Sequence, residues 1–223
     1  MSTLVFLPGA GCTSAIFDAQ LEAFPGSVAL AYAGTIEAID GYADAVAAEL
    51  ASRDIEDAIL VGFSMGGAVA LTLALRHAPQ VRALALLGSG SRLRVAPAIL
   101  DGLASDFDTT ARMIAGFLLA NPTSERVEFC VGMMYAVGEA QTRAGFAACN
   151  TFDVTDRLGA IALPVVAITG ERDAMTPPKY GQSLADRIPG AAARILAGAG
   201  HLVMVENPAD TNEALRAFVA QVR

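Results

Sequence analysis

Short apolar runs alternate with longer segments of helical spacing along most of the chain. This pattern predicts a parallel sheet whose strands are linked by crossover helices. Residues 4–7 read as a first strand, ended by Pro8-Gly9, and Ser14 is placed to cap a helix running to about Phe24, where Pro25-Gly26 stops it. A strand over 28–32 follows, then a helix over 41–52 with Tyr42, Ala45, Val46, Glu49 and Leu50 at helical spacing. Residues 58–63 form a strand, 65 to about 77 a helix stopped by Pro79, and 81–87 a strand closed by Gly88-Ser89-Gly90. From 91 to about 160 the pattern is helical only, with clear helices over 110–120 and 124–137. Alternation resumes with a strand at 164–169, a helix at 178–188, a strand at 193–196 and a helix at 208–222. The expected fold is α/β: a doubly wound, mostly parallel sheet of about six strands, with residues 1–90 and 160–223 as core and 91–159 as a helical cap insertion. No repeat or low-complexity linker interrupts the chain, so the insertion is expected to pack on the core.

Two stretches could pass for membrane or targeting segments. Residues 58–75 carry no charge, but Gly62, Gly66 and Gly67 interrupt them and Asp57 and Arg76 close them. A buried strand feeding a buried helix explains that run better. Residues 2–17 lack a basic leading region and are broken by Pro8-Gly9. At 223 residues, 54% hydrophobic and 17% charged, the chain suits one folded domain with a modest insertion rather than a disordered segment. Its net charge of -8 argues against nucleic acid or anionic lipid as a partner. Cys12, Cys130 and Cys149 have no metal-ligand spacing and cannot all pair within the chain; free thiols point to a reducing, cytoplasmic setting.

The chemistry concentrates at Gly62-Phe63-Ser64-Met65-Gly66, a G-x-S-x-G segment between an apolar strand and an alanine-rich helix. A turn this tight projects the serine hydroxyl from the carboxyl edge of the sheet. Glycines two residues to either side leave room where a Cβ would strike backbone, and the helix start aims its N–H groups at the same spot. The alternative is an ordinary strand-to-helix turn with a capping serine. A serine nucleophile needs an adjacent base, and the chain has two histidines. His77 lies at the far end of the helix that starts after Ser64, about 20 Å away; it reads as a helix C-terminal residue set against the dipole. His201, in Ala199-Gly200-His201 just past the last strand, is the eligible base. Asp173 follows the strand at 164–169 through Gly170-Glu171-Arg172, on the same rim, where it would orient the imidazole. Glu171, Asp153 and Asp156 compete for that role, and a turn function before Met175-Thr176-Pro177-Pro178 is the alternative for Asp173.

With Ser64, Asp173 and His201 in this order, the chain resembles the α/β-hydrolase superfamily. The Gly-Glu-Arg-Asp segment at 170–173, the following Thr176-Pro177, and the run from His201 to Glu206-Asn207-Pro208 belong to the likeness. It covers nearly the whole core and is weakest over the insertion, the family's variable cap. The resemblance implies a serine hydrolase that cleaves small carboxylic esters through an acyl-enzyme, carboxylesterase-like, with neither metal nor organic cofactor. Serine at the elbow disfavours the relatives that use aspartate to open epoxides or displace halide. Lactonases, thioesterases, C–C bond hydrolases and lyases share the triad, and a non-catalytic ligand receptor on the same fold can retain it. Two features depart from the family. Relatives usually carry a β-hairpin before the first strand seen here, and the oxyanion segment reads Pro8-Gly9-Ala10-Gly11 where many have His-Gly-x-Gly. By position, the backbone N–H groups of Ala10 and Met65 form the oxyanion hole, and Cys12 beside them is expected to pack rather than react. Most apolar residues of the insertion are assigned to helix packing; Phe63 beside the nucleophile, with Phe117, Met133 and Met134, are the candidates for a modest substrate pocket. Arg92, Arg94 and Arg143 are assigned to solvated surface.

Overall fold

The computed structural model describes residues 2–222. Its frame is a six-stranded sheet of β1 (Thr3–Leu7), β2 (Val28–Ala29), β3 (Ala58–Phe63), β4 (Val81–Leu87), β5 (Val165–Gly170) and β6 (Ala192–Leu196). The strand order is β2-β1-β3-β4-β5-β6 and every neighbouring pair is parallel. β3 and β5 are buried at every position, as strands covered on both faces must be. The edge strand β6 is mostly exposed instead. β2 is shorter than the expected 28–32: after Leu30 N–H reaches Phe6 O, the chain leaves the sheet and Tyr32 packs edge-on against Tyr42.

Alternation along the strands divides the core into two layers. Phe6, Ile59, Val61, Ala85 and Ile168 face one side, under α1 (Asp18–Ala23) and α10 (Pro208–Gln221). Val5, Leu7, Leu60, Leu84 and Ala167 face the other, under α2 (Ile39–Ser52), α3 (Met65–Leu75) and α8 (Pro178–Arg187). The expected helix over 14–24 begins as a 3₁₀ turn, Ser14–Phe17, and Thr13 rather than Ser14 stands at its cap position, without a side-chain cap bond. α3 stops two residues short of His77. That residue turns to φ 53°, and the bonds from His77 N–H to Ala74 O and from Ala78 N–H to Leu73 O close the helix as a Schellman motif. The uncharged run over 58–75 is thus β3 plus α3, and no helix among the described residues is long and apolar enough to cross a membrane.

Between β4 and β5 lie α4 (Pro97–Ser105), α5 (Phe107–Leu118), α6 (Ser124–Val137), α7 (Glu139–Thr151) and a 3₁₀ turn, Thr155–Ala160. Asp106 caps α5 by accepting from Thr109 N–H, and Thr123 caps α6 by accepting from Arg126 N–H. Phe107, Ala111, Ile114, Ala115 and Leu118 make one buried stripe on α5. α7 buries small residues such as Ala144, Gly145 and Ala148, which give a weak apolar signal in sequence. The insertion has no core of its own. Ile114, Met133 and Phe146 join the first layer, and Ala148, Cys149 and Leu158 the second.

Close backbone approach limits which glycines can change. A Cβ at Gly66 would collide with the carbonyl groups of Leu7 and Pro8, whereas one at exposed Gly116 on α5 meets open space. Gly66→Ala is expected to destabilise the fold by about 1–3 kcal/mol or more, and Gly116→Ala to stabilise it by about 0.5–1 kcal/mol. Urea unfolding midpoints of the two variants should move in opposite directions. A shift of the same sign in both would refute this packing account.

Candidate active site

Three loops at the carboxyl edge of the sheet bring Ser64, Asp173 and His201 to one side of the fold. The first is the turn from β3 into α3. Ser64 has φ 50° and ψ -112°, a conformation costly for any residue with a side chain, at about 1–3 kcal/mol. Neighbouring groups hold it there. Its N–H donates to Leu87 O at 2.9 Å, and its carbonyl accepts from Gly67 N–H at 2.9 Å and from the Ser89 hydroxyl at 2.8 Å. A Cβ at Gly62 would strike Gly66 and Gly67, so the tight turn requires glycine there. The Ser64 hydroxyl makes no cap bond to α3, which removes the reading of a capping serine.

The second loop follows β5. Asp173 is buried, and both its oxygens are occupied. Oδ1 accepts from Met175 N–H at 2.9 Å and Thr176 N–H at 2.7 Å. Oδ2 accepts from the Thr176 hydroxyl at 2.9 Å and lies 2.8 Å from His201 Nδ1. Burial pushes the Asp173 carboxyl up, but the charge and hydrogen bond of the His201 ring and the Thr176 donors outweigh it and hold the group below the ordinary carboxylate value. Glu171 turns away and accepts from Gly198 N–H, while Asp153 faces Arg92 and Thr155. Neither reaches the imidazole.

The third loop follows β6 and carries His201, which is buried with its ring centroid 4.8 Å from that of Phe63. A Cβ at Gly170 would collide with the carbonyls of Ala199 and Gly200, so the backbones of the Asp173 loop and the His201 loop meet directly there. Arg172 N–H donates to Ala199 O and ties them further.

Ser64, His201, Phe63 and Ala10 all line a cavity of about 50 Å³, together with Leu118, Phe146 and Met175. Met65 begins α3 behind Ser64, where its N–H has no intrahelical acceptor. Gly145 of α7 packs against both Ala10 and Met65, and a Cβ there would press on Ala10. Three of the expected pocket residues lie elsewhere. Phe117 is 45% exposed, because it stands about 100° round α5 from the centre of the buried stripe. Met133 and Met134 are buried in the packing between α6 and the core, with Met134 against Gly11. Arg94 is exposed, as a solvated surface residue is expected to be, but it also borders the cavity, and its Nη1 donates to Asn150 O at 3.3 Å. Its place in the loop after β4 is the signal in sequence that marks it. Thr176 is the other residue whose part the spacing alone does not assign; its hydroxyl lies 3.2 Å from His201 Nδ1. Cys12 lines the cavity too, but burial, then Cys130, pushes its thiol up to about 12, so it is no thiolate at neutral pH.

The sequence profile described as the alpha/beta hydrolase family matches residues 4–214. A pimeloyl-[acyl-carrier protein] methyl ester esterase of Neisseria meningitidis is 28% identical over 201 residues, which span 82% of this chain and 76% of that one. A solved thermophilic esterase superposes with a TM-score of 0.88 at 28% identity, covering 100% of this chain and 91% of its own. A solved N-acyl homoserine lactone degrading enzyme gives 0.84 at 25% identity, covering 98% and 93%.

Thr176→Val removes one donor to an ionised, buried carboxylate and is expected to cost about 1–3 kcal/mol of stability at pH 7. The folded value of Asp173 is depressed, so the stability its ionised form contributes is complete above the ordinary carboxylate value, about 3.9, and fades as pH falls through the lower folded value. The difference in unfolding free energy between wild type and Thr176→Val should therefore be constant from pH 7 to about 5 and shrink in stronger acid. A difference that does not change with pH would separate Thr176 from the charge on Asp173.

Proposed function

The chain belongs to the alpha/beta hydrolase family, and on that premise we propose that it is a serine hydrolase cleaving small carboxylic esters through an acyl-enzyme. The observation that carries this reading is the 2.8 Å contact of buried Asp173 with Nδ1 of His201, whose ring lines the same cavity as strained Ser64. The esterase named among the relatives and the solved esterase support the ester bond as the target.

The steps follow from the groups present. With Nδ1 held by Asp173, Nε2 is the free face of the imidazole. It takes the Ser64 proton as Oγ attacks the carbonyl carbon. Among the described residues no hydrogen bond joins the Ser64 hydroxyl to the imidazole in the resting chain, so bound substrate completes that contact. The tetrahedral oxyanion is met by the N–H groups of Ala10 and Met65. Its collapse expels the alcohol, which takes its proton from His201, and leaves acyl-Ser64. Water then gives a proton to His201 and attacks the acyl carbon, and the acid departs as Ser64 recovers its proton. Neither step calls for a metal or an organic cofactor. Three buried, unpaired cysteines support a reducing, cytoplasmic setting.

Turnover of a p-nitrophenyl short-chain ester tests the assignment. Ser64→Ala and His201→Ala are each expected to lower kcat by several orders of magnitude with the fold retained, while His77→Asn, at a helix end, leaves kcat within about twofold. Near-normal turnover by folded Ser64→Ala would sink the nucleophile. Wild type that turns over neither esters nor lactones, and is untouched by a serine-directed phosphonate, would be a ligand receptor instead.

The cavity also limits the acyl chain. Each methylene that it accommodates adds about 0.8 kcal/mol, or about fourfold in kcat/KM, but about 50 Å³ is soon filled. Across p-nitrophenyl acetate to palmitate, kcat/KM is expected to rise, peak at a few carbons and then fall. A profile still climbing at the longest chains would overturn this limit.

A further inference from the structure

The reaction above leaves one buried carboxylate unused. Glu206 ends α9 (Val203–Glu206) with a side chain only 3% exposed, so its oxygens need partners. Oε2 accepts from Gly200 N–H at 2.8 Å, in the residue just before His201. Oε1 accepts from Ala120 N–H at 2.9 Å and Asn121 N–H at 3.3 Å, in the link between α5 and α6, and Arg126 Nη1 stands 3.8 Å away. The carbonyl of Leu118, the last residue of α5, accepts from both His201 N–H at 3.0 Å and Leu202 N–H at 3.1 Å. The approach is so close that a Cβ at Gly200 would press on Ala120 and Glu206. The backbone of the base is therefore held by the insertion as much as by the sheet.

We infer that Glu206 is a positioning residue for His201, its carboxylate clamping the base's loop to the α5–α6 link so that insertion and base keep one geometry. The inference rests on His201 being the general base. Glu206→Gln keeps the shape but turns an amide donor toward N–H groups that now donate to a carboxylate, so one side of the clamp must open. A displacement on the order of 1 Å at a catalytic group can cost about a hundredfold in rate.

The test is kcat of Glu206→Gln on a p-nitrophenyl short-chain ester, expressed per active site as titrated with a serine-directed phosphonate. The expected result is a fall of about tenfold to hundredfold in kcat per titrated site, with KM within about twofold and phosphonate inactivation slowed in parallel. A merely structural role would lower the number of titratable sites and the Tm while leaving kcat per site unchanged; kcat within twofold of wild type overturns the inference. Should the variant fail to fold, hydrogen exchange of the wild-type protein decides. The amides of Ala120, Asn121, Gly200, His201 and Leu202 are expected to open together with one protection factor, and exchange of the 200–202 amides more than tenfold faster than that of the link would overturn the clamp. If wild type cleaves no ester at all, the functional reading fails by itself, and the exchange experiment still reports on the clamp.

Discussion

The whole arrangement depends on backbone approaching backbone at the carboxyl edge of the sheet. Gly66, Gly170 and Gly200 each stand where a Cβ would meet a main-chain atom of a neighbouring loop, and Gly62 where it would meet the main chain of its own turn. Parallel strands deliver their carboxyl ends to one rim, but adjacent loops on that rim come this close only where side chains are missing. The approach at Gly62 and Gly66 lets Ser64 adopt φ 50°, and the approach of Gly170 to residues 199–200 brings Asp173 to His201. Local strain at Ser64 is tolerable because Leu87, Ser89 and the first turn of α3 fix both of its peptide groups.

Electrostatics then builds on that packing. A carboxylate as buried as Asp173 would be costly unless satisfied, and three donors besides the imidazole satisfy it. Those donors come from the turn directly after Asp173, so its carboxylate is held by its own loop as well as by the imidazole. The imidazole is left to be placed by the 199–202 loop, which hangs on Leu118 and Glu206. Asp173 and His201 are thus held by different parts of the chain, the first by its own turn and the second also by the segment between β4 and β5.

The insertion has two roles in one piece of structure. Leu118, Phe146 and Cys149 close the cavity over Ser64, and Gly145 lets α7 lie against Ala10 and Met65. Because its apolar residues join the two layers of the sheet rather than a core of their own, the insertion is packed as part of the hydrophobic interior. A roof built this way fixes a small cavity. Among the described residues of its lining the one arginine or lysine is Arg94, from the loop that leads from β4 into the insertion.

The sequence by itself determined the features that are local in origin. Short apolar runs and helical spacings marked all six strands and most helices, and the G-x-S-x-G segment marked the turn into α3, because apolar runs, turn chemistry and glycine spacing are written residue by residue. The distance along α3 was enough to part His77 from Ser64, since helical rise is fixed. Phe117 was expected in the pocket, but its angle from the buried α5 stripe turns it outward. Tertiary structure decided which surfaces meet. Met133 and Met134 pack inward because α6 presents that face to the sheet layer, while Arg94 reaches the cavity through a loop with no periodicity to read. β2 is short where Tyr32 turns to pack on Tyr42, and Thr176 and Glu206 find hydrogen-bond partners only in the folded loops. Such contacts join residues as far apart as 120 and 206, and no local pattern encodes the distance between them until the sheet has brought their loops to one edge.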